Sequence, residues 1–230
     1  MQLTAKDAAK LFRASEKTIQ EWIDERGLPT HRVNDQIRFN QIELLTWAAA
    51  NGISVSPEVL HDPESGDSPL TSVTNALEAG GIFRGVGGHD KQTVLRAMVD
   101  VLKLPQEVDR EFLYHVLSAR EALGSTGVGG GIAIPHPRNP IVLHVDRPTI
   151  ALCYLKEPID FAALDGLPVR ILFALISPTI RMHLHLISRL AYMLHDSGFK
   201  DVVTREGPDE DILREGRRAE AGLRPDGEAS

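Results

Sequence analysis

A single histidine, His136, ends a glycine-rich approach and a short apolar run. Because an imidazole titrates near neutrality, its neutral ring nitrogen can act as a nucleophile without a strong base beside it. Residues 124–131 contain five glycines, which allow backbone N–H groups to come close to a bound anion. A tight loop leading into a strand explains the same glycines equally well. The histidine and the glycines together favour a site that handles phosphoryl groups.

Two further histidines, His183 and His185, lie in the helical pattern of residues 182–194. On a 3.6-residue period His183 aligns with the apolar residues of that helix and His185 with the polar ones. We therefore expect His183 to point inward and His185 outward. His183 also lies in the first turn after Pro178, where the helix dipole favours an anion. A satisfied core histidine remains the alternative for His183.

Other chemistries find little support in the sequence. No His-Glu-x-x-His spacing occurs, and two histidines that face opposite ways do not bind one metal ion. The lone cysteine, Cys153, lies in an apolar run and reads as a buried structural thiol. The glycines lack the Gly-Lys-Ser/Thr ending of an ATP-binding loop, and no nucleophile-elbow motif occurs. We expect neither a metal nor a cofactor.

Strands and helices around His136 must position it. Two continuous apolar runs, 149–155 and 169–176, predict central strands covered on both faces. Helical spacing predicts helices that begin after Asp90 and at Pro105, the second with Phe112 inward, and further helices at 182–194 and 208–218. The pattern predicts an α/β fold with a central mixed, partly parallel sheet flanked by helices.

The first 52 residues predict a separate small domain. Thr4 and Ser15 can each cap a helix, and three residues between the helices make a tight turn. Residues 31–39 alternate around an Asn-Asp turn, which predicts a hairpin or wing, and 41–50 return to helical spacing. Helix, turn, helix and wing is an arrangement that reads DNA.

Composition sets the remaining boundaries. Residues 53–69 concentrate proline, serine, glycine and acidic side chains and read as a linker, so the second domain spans 70–218. We expect a disordered tail at 219–230. No apolar run reaches the roughly 18 residues of a membrane span, and the chain opens on an amphipathic segment, so we expect a cytoplasmic protein without membrane insertion.

The N-terminal motifs resemble the excisionase and MerR-like winged-helix modules. These motifs are Leu3-Thr-Ala-Lys-Asp-Ala-Ala-Lys-Leu-Phe, Ser15-Glu-Lys-Thr-Ile-Gln-Glu-Trp-Ile, Gly27-Leu-Pro and Ile37-Arg-Phe. The resemblance implies that the second helix enters the major groove of DNA. It names as DNA-binding candidates Lys17, Thr18 and Gln20 on that helix, with Arg32 and Arg38 beside the wing.

Charge weighs against strong DNA binding by one copy of this domain. Residues 1–50 carry seven basic and seven acidic side chains, and the whole chain has a net charge of −7. Neutralisation of phosphates supplies most non-specific DNA affinity, and Glu16 and Glu21 lie on the predicted reading helix. We expect weak binding unless two copies pair in a homodimer. A module that contacts another protein remains the alternative.

Three motifs in order across 70–218 resemble the enzyme IIA domains of the bacterial phosphoenolpyruvate-dependent phosphotransferase system, of the fructose, mannitol and nitrogen-regulatory class. They are Arg120-Glu-Ala-Leu-Gly-Ser-Thr-Gly-Val-Gly-Gly-Gly-Ile-Ala-Ile-Pro-His136, Ile159-Asp-Phe-Ala-Ala-Leu-Asp-Gly-Leu-Pro-Val-Arg-Ile-Leu-Phe-Ala-Leu-Ile and His183-Leu-His-Leu-Ile-Ser-Arg-Leu. The resemblance implies that His136 accepts a phosphoryl group from a histidine phosphocarrier protein. It also implies that His183 and Arg120 line the site.

Transfer between two nitrogens needs an in-line approach and donors around the equatorial oxygens, but neither ATP nor a metal. Ser125, Thr126 and Gly131 are further candidates for contact with the phosphoryl group, although such hydroxyls more often cap the local backbone. The chain departs from the family at Pro137, where a small residue with an N–H usually follows the histidine. Proline there removes a donor and favours an extended backbone at His136.

Two functions remain open. The first is a phosphocarrier or phosphorylation sensor whose output is altered binding of an unidentified regulatory partner. The second is a DNA-binding transcriptional regulator whose IIA-like domain is a non-transferring sensor or dimerisation module. The coincidence of His136, Arg120 and His183 favours the first, and the fused helix-turn-helix favours regulation over sugar import.

Overall fold

The computed structural model divides the chain into two compact units, Met1–Gly66 and Asp67–Ser230. The residues it describes are 2–33, 36–40, 43–44, 47–48, 51, 53, 70–106, 108–140 and 145–222. The predicted linker from residue 54 onward, the Asn-Asp turn of the predicted wing and the end of the predicted tail, 223–230, lie outside these residues.

The first unit has the predicted helix-turn-helix and hairpin. Its elements are β1 Gln2–Leu3, α1 Ala5–Leu11, α2 Glu16–Arg26, β2 His31–Val33 and β3 Gln36–Asn40. The three strands form an antiparallel sheet in the order β1-β3-β2. Thr4 and Ser15 cap the two helices through their hydroxyl oxygens, as predicted. Of the helix predicted at 41–50, the described residues 43, 44, 47 and 48 are helical.

An aromatic cluster holds this unit together. Phe12 and Trp22 meet edge to face with ring centroids 5.6 Å apart, and Trp22 and Trp47 lie 5.4 Å apart. Gly27 ends α2 in the left-handed conformation, which glycine adopts without strain. The Trp47 indole N–H then donates to the carbonyl of Arg26 at 3.0 Å. These contacts join the end of the second helix to a residue 21 positions later.

The second unit is an α/β domain. Its elements in chain order are α3 Val73–Gly80, β4 Ile82–Val86, α4 Lys91–Val101, α5 Arg110–Ala122, β5 Gly127–Gly129, β6 Ile132–Ala133, β7 Thr149–Ile159, β8 Val169–Ile176, α6 Ile180–Met193, α7 Ser197–Thr204 and α8 Asp209–Ala221. No helix among the described residues is long and apolar enough to cross a membrane.

The five-stranded sheet has the order β4-β7-β8-β6-β5. The pairs β4/β7 and β6/β8 are parallel, whereas β7/β8 and β5/β6 are antiparallel. This arrangement confirms the predicted mixed, partly parallel sheet. Side chains alternate along β7 between two hydrophobic clusters: Ile150, Leu152 and Tyr154 enter one, and Ala151, Cys153 and Leu155 enter the other. Helices α3, α6, α7 and α8 contribute to the first cluster, and α4 and α5 to the second.

Several boundaries differ from the sequence predictions. Helix α5 begins at Arg110 with Asp109 as its N-cap, not at Pro105, and Phe112 is 46% exposed instead of inward. Asp109 accepts from two backbone N–H groups, which fixes the helix start after the proline. Helix α8 runs three residues beyond the predicted end at 218, so the first residues of the predicted tail are helical. Strand β4 and helices α3 and α7 were not predicted.

Candidate functional site

His136 lies three residues beyond the carboxyl end of β6. The Ile134 N–H donates to the Thr126 carbonyl at 3.0 Å, and the Leu175 N–H donates to the Pro135 carbonyl at 2.9 Å. The backbone is therefore held by neighbours on both sides up to the residue before the histidine. Because β8 runs parallel to β6, Ser177 after β8 lies at the same edge of the sheet as His136.

The hydrogen bonds of the His136 ring define its tautomer. Its Nδ1 lies 2.7 Å from the carbonyl oxygen of Ile134, and a carbonyl only accepts, so Nδ1 carries the proton. In the neutral ring Nε2 then holds the lone pair, toward which the Arg120 Nε–H points at 3.3 Å. The nitrogen able to attack an electrophile is thus Nε2. The side chain is completely buried.

Arg120 reaches this ring from the last turn of α5 and is itself buried. Its Nη1 donates to the carbonyl of Gly124 at 2.9 Å, which fixes one edge of the guanidinium while Nε faces His136. Gly124 has a φ of 154°, in the range that favours glycine. Gly124 was predicted as a possible anion donor, but its carbonyl instead orients the arginine.

His183 comes from the face of the sheet opposite to the face that α5 covers. It belongs to α6, whose N-cap is Thr179, and its ring centroid lies 5.3 Å from that of His136 at an interplanar angle of 54°. His183 is fully buried, as predicted, whereas His185, predicted to point outward, is half-buried. The Nδ1 atom of His183 lies 3.1 Å from the Ser177 hydroxyl, and its Nε2 has no hydrogen-bond partner among the described residues.

Both rings are neutral at physiological pH. Burial, followed by the charge of Arg120 and by His183, holds the pKa of His136 well below its usual value of 6.5. Burial and then Arg120 lower the pKa of His183 to about 3. A neutral His136 keeps the Nε2 lone pair that nucleophilic attack requires. Within the described residues no cluster of three or more His, Cys, Asp or Glu side chains is suited to hold a metal ion.

The two hydroxyls predicted as phosphoryl contacts are engaged elsewhere. The Ser125 hydroxyl donates to the Phe161 carbonyl at 2.6 Å, and the Thr126 hydroxyl donates to Glu121 at 2.7 Å. A hydroxyl has only one hydrogen to donate. The Thr126 contact with Glu121 is local, as the capping alternative predicts. The Ser125 hydroxyl instead donates to a distant carbonyl, while its oxygen accepts locally from the Gly127 N–H at 3.0 Å. Glu121, which was not predicted as a site residue, also accepts from the Thr126 N–H and from Lys91, so it supports the segment between Arg120 and β5.

The structure does not bring Gly131 to His136. Glycines 129–131 have positive φ values and turn the hairpin between β5 and β6. The Gly130 N–H donates to Asp165 at 2.7 Å, and the Gly131 carbonyl accepts from the N–H groups of Arg170 and Ile171. Gly131 and His136 are five positions apart, a span that corresponds to about 16 Å in extended chain. These glycines make the tight loop that was the second interpretation.

The DNA-binding candidates lie on the elements predicted for them. Lys17 is 87% exposed and pairs with Glu21 at 3.8 Å, and Gln20 donates to Asp24 at 3.1 Å. The Thr18 hydroxyl lies 2.8 Å from that of Ser15, the helix cap. Arg32 and Arg38 lie on the adjacent strands β2 and β3. The side chain of Arg32 lies outside the described residues.

The fold and the site define a class of chain in which a small helix-turn-helix unit precedes an α/β domain with a buried histidine, arginine and histidine cluster. Comparison with known families gives the particular family. Residues 75–215 match the family described as "Phosphoenolpyruvate-dependent sugar phosphotransferase system, EIIA 2", and residues 3–52 match "Helix-turn-helix domain". Because the first match covers more than half of this chain, the chain belongs to the phosphotransferase system EIIA 2 family.

Individual proteins agree with this assignment. The chain is 40% identical over 129 residues to a nitrogen regulatory protein of Pseudomonas aeruginosa, covering 54% of this chain and 81% of that protein. It is 33% identical over 125 residues to the fructose-specific EIIABC component of Bacillus subtilis, covering 53% of this chain but only 19% of that protein. The crystal structure of the nitrogen regulatory protein IIA-Ntr from Neisseria meningitidis aligns with a TM-score of 0.55 at 27% identity, covering 63% of this chain and 98% of that one.

Proposed function

We propose that this protein accepts a phosphoryl group on Nε2 of His136 from a histidine phosphocarrier protein and that the phosphorylation state has a regulatory output. The observation that carries the proposal is the neutral Nε2 lone pair of His136, with the guanidinium of Arg120 and the ring of His183 beside it. Arginine and an imidazole N–H are the donors that a transferring phosphoryl group needs around its oxygens.

The transfer exchanges one nitrogen–phosphorus bond for another. The Nε2 lone pair of His136 forms the new bond to phosphorus while the bond to the donor's histidine nitrogen breaks, and its electron pair stays on the donor nitrogen. The proton on Nδ1 remains with His136 in its bond to the Ile134 carbonyl. The Arg120 Nε–H, which points at the lone pair before transfer, turns to a phosphoryl oxygen, while Gly124 holds the guanidinium in reach.

The regulatory output is assigned to the helix-turn-helix domain at residues 3–52. A phosphoryl group adds negative charge and strong acceptor oxygens to a small region, which changes the binding of a partner protein or of DNA. The balanced charge of residues 1–50 makes a DNA contact by a single copy weak and sensitive to salt. The two relatives named as nitrogen regulatory proteins support regulation as the output.

A second candidate is a DNA-binding transcriptional regulator whose EIIA-type domain senses or dimerises without transferring phosphate. The complete burial of His136 favours it, because a donor protein reaches Nε2 only when the covering residues move aside. The first candidate requires that opening to occur in the presence of the donor.

Phosphorylation by a purified relay separates the two candidates. We expect that incubation with phosphoenolpyruvate, enzyme I and a histidine phosphocarrier protein adds one acid-labile phosphoryl group, seen as an increase in intact mass. His136→Ala should remove the label, whereas His115→Ala, which deletes an exposed histidine of α5, should keep it. Full labelling of His136→Ala would refute the assignment of the acceptor. No labelling of the wild type, under conditions that label a control IIA domain, would favour the second candidate.

A further inference from the structure

Ser177 is a buried hydroxyl at the edge of the sheet where His136 lies. It follows the last residue of β8 and is completely buried. Its Oγ lies 3.1 Å from Nδ1 of His183, the hydrogen-bond partner found for it among the described residues. The distance alone allows either atom to be the donor.

Counting unsatisfied groups decides the direction of this hydrogen bond. If His183 donated from Nδ1, the Ser177 hydroxyl hydrogen would be buried without an acceptor, and the Nε2 lone pair of His183 would also be unsatisfied. If Ser177 donates to Nδ1, the proton of the neutral His183 ring lies on Nε2, and this N–H is the one unsatisfied group of the pair. Since each buried unsatisfied polar group costs about 1–3 kcal/mol, the second arrangement is favoured.

We propose that Ser177 is a positioning residue that fixes the Nε2-protonated tautomer of His183 and thereby prepares its donor for the phosphoryl group. This inference deepens the proposed function and rests on it for the role of that donor. The His183 ring is 5.3 Å from the acceptor ring, and Nε2 is the ring nitrogen not bound to Ser177. The tautomer with a lone pair on Nε2 would present an acceptor to the phosphoryl oxygens and repel them. Ser177 therefore acts through His183 without touching phosphate itself.

The first test reads the tautomer directly and needs no phosphoryl donor. In long-range proton–nitrogen NMR spectra of the unphosphorylated full chain, we expect His183 to show a protonated Nε2 and an unprotonated Nδ1. In Ser177→Ala the chemical shifts of the two ring nitrogens should move toward the values of a mixture of both tautomers. A matched control is Ser188→Ala, which removes a hydroxyl of the same helix that bonds to the His185 carbonyl. A wild-type His183 protonated on Nδ1 overturns the proposal.

The second test is the rate of phosphorylation. Ser177→Ala should lower the maximal rate about tenfold, the effect of losing most of one hydrogen bond to a charged group, and should leave the KM for the donor protein unchanged. Ser177→Thr, which keeps the hydroxyl, should restore both the tautomer and the rate, and it covers the case in which the alanine variant does not fold. Wild-type rates in a Ser177→Ala variant whose tautomer has changed would overturn the role in transfer. An unlabelled wild type with the expected tautomer would instead refute the proposed function and leave the hydrogen-bond direction established.

Discussion

Replacing Arg120 by methionine tests the electrostatics of the site most directly. The variant keeps an unbranched side chain of similar length in α5 but removes the guanidinium that donates toward His136 Nε2 and to the Gly124 carbonyl. A hydrogen bond from a charged donor contributes about 1.5–3 kcal/mol, which corresponds to roughly a 10- to 150-fold change in rate. We expect the first-order rate of phosphorylation at saturating donor to fall by that factor.

The same variant separates the effects of charge and burial. Because Arg120 is the second cause of the lowered pKa of His183 and burial the first, Arg120→Met should raise that pKa without returning it to 6.5. Arg120→Lys should recover only part of the rate, since an ammonium group cannot reproduce the guanidinium's two directed contacts. Rapid-quench intact-mass measurements give the rates, and NMR titration of the ring protons gives the pKa.

The control is Arg217→Met, which removes an exposed arginine that pairs with Glu78. Its labelling rate should match that of the wild type. A wild-type rate in Arg120→Met, with a folded protein by circular dichroism, would show that no guanidinium charge is needed at the acceptor, and the proposed stabilisation of the phosphoryl oxygens would be wrong.

Three further predictions concern stability and the first domain. The pKa of His183 is about 3 in the folded state and near 6.5 in the unfolded state, so the unfolded state binds more protons between these pH values. The free energy of unfolding should therefore fall as the pH drops from about 6.5. In urea denaturation, His183→Gln should reduce the slope of this free energy against pH by about 1.4 kcal/mol per pH unit. Glu220→Gln should destabilise the second domain by about 1–2 kcal/mol in the same assay, since the carboxylate accepts from the Val73 and Thr74 N–H groups and the Thr74 hydroxyl, and unchanged stability would contradict this capping role. If α2 contacts DNA phosphates, Lys17→Ala should lower the slope of log affinity against log salt by about one for a mixed-sequence duplex in fluorescence anisotropy, and an unchanged slope would exclude that contact.

Local sequence patterns were sufficient for the central strands. The apolar runs that became β7 and β8 are continuous because both faces of these strands are covered. Strand β4 was missed because Arg84 and Gly85 interrupt its apolar pattern, and both are exposed at the edge of the sheet. Phe112 followed the helical spacing, but the shifted start of α5 places it on the exposed side.

The site shows the same division between local and distant information. His136, Arg120 and His183 stand in motifs that the sequence reveals, and the structure brings them together. Two contacts join residues from different segments: Ser177 bonds to His183, 6 positions away, and Ser125 to Phe161, 36 positions away. No local sequence pattern predicts either contact. For the glycine-rich stretch two interpretations fitted the sequence, and only the pairing of β5 with β6 distinguishes them.

The complete burial of the His136 ring bears on how fast a phosphoryl group could be gained and lost there. Hydrolysis of a phosphohistidine requires a water molecule at the phosphorus, and a ring closed off from solvent admits water no more readily than it admits a donor. If His136 accepts a phosphoryl group as proposed, a buried acceptor of this kind would be loaded slowly and would lose the group slowly. The modified protein would then act as a record of past donor activity, and its lifetime would be set by the frequency with which the site opens.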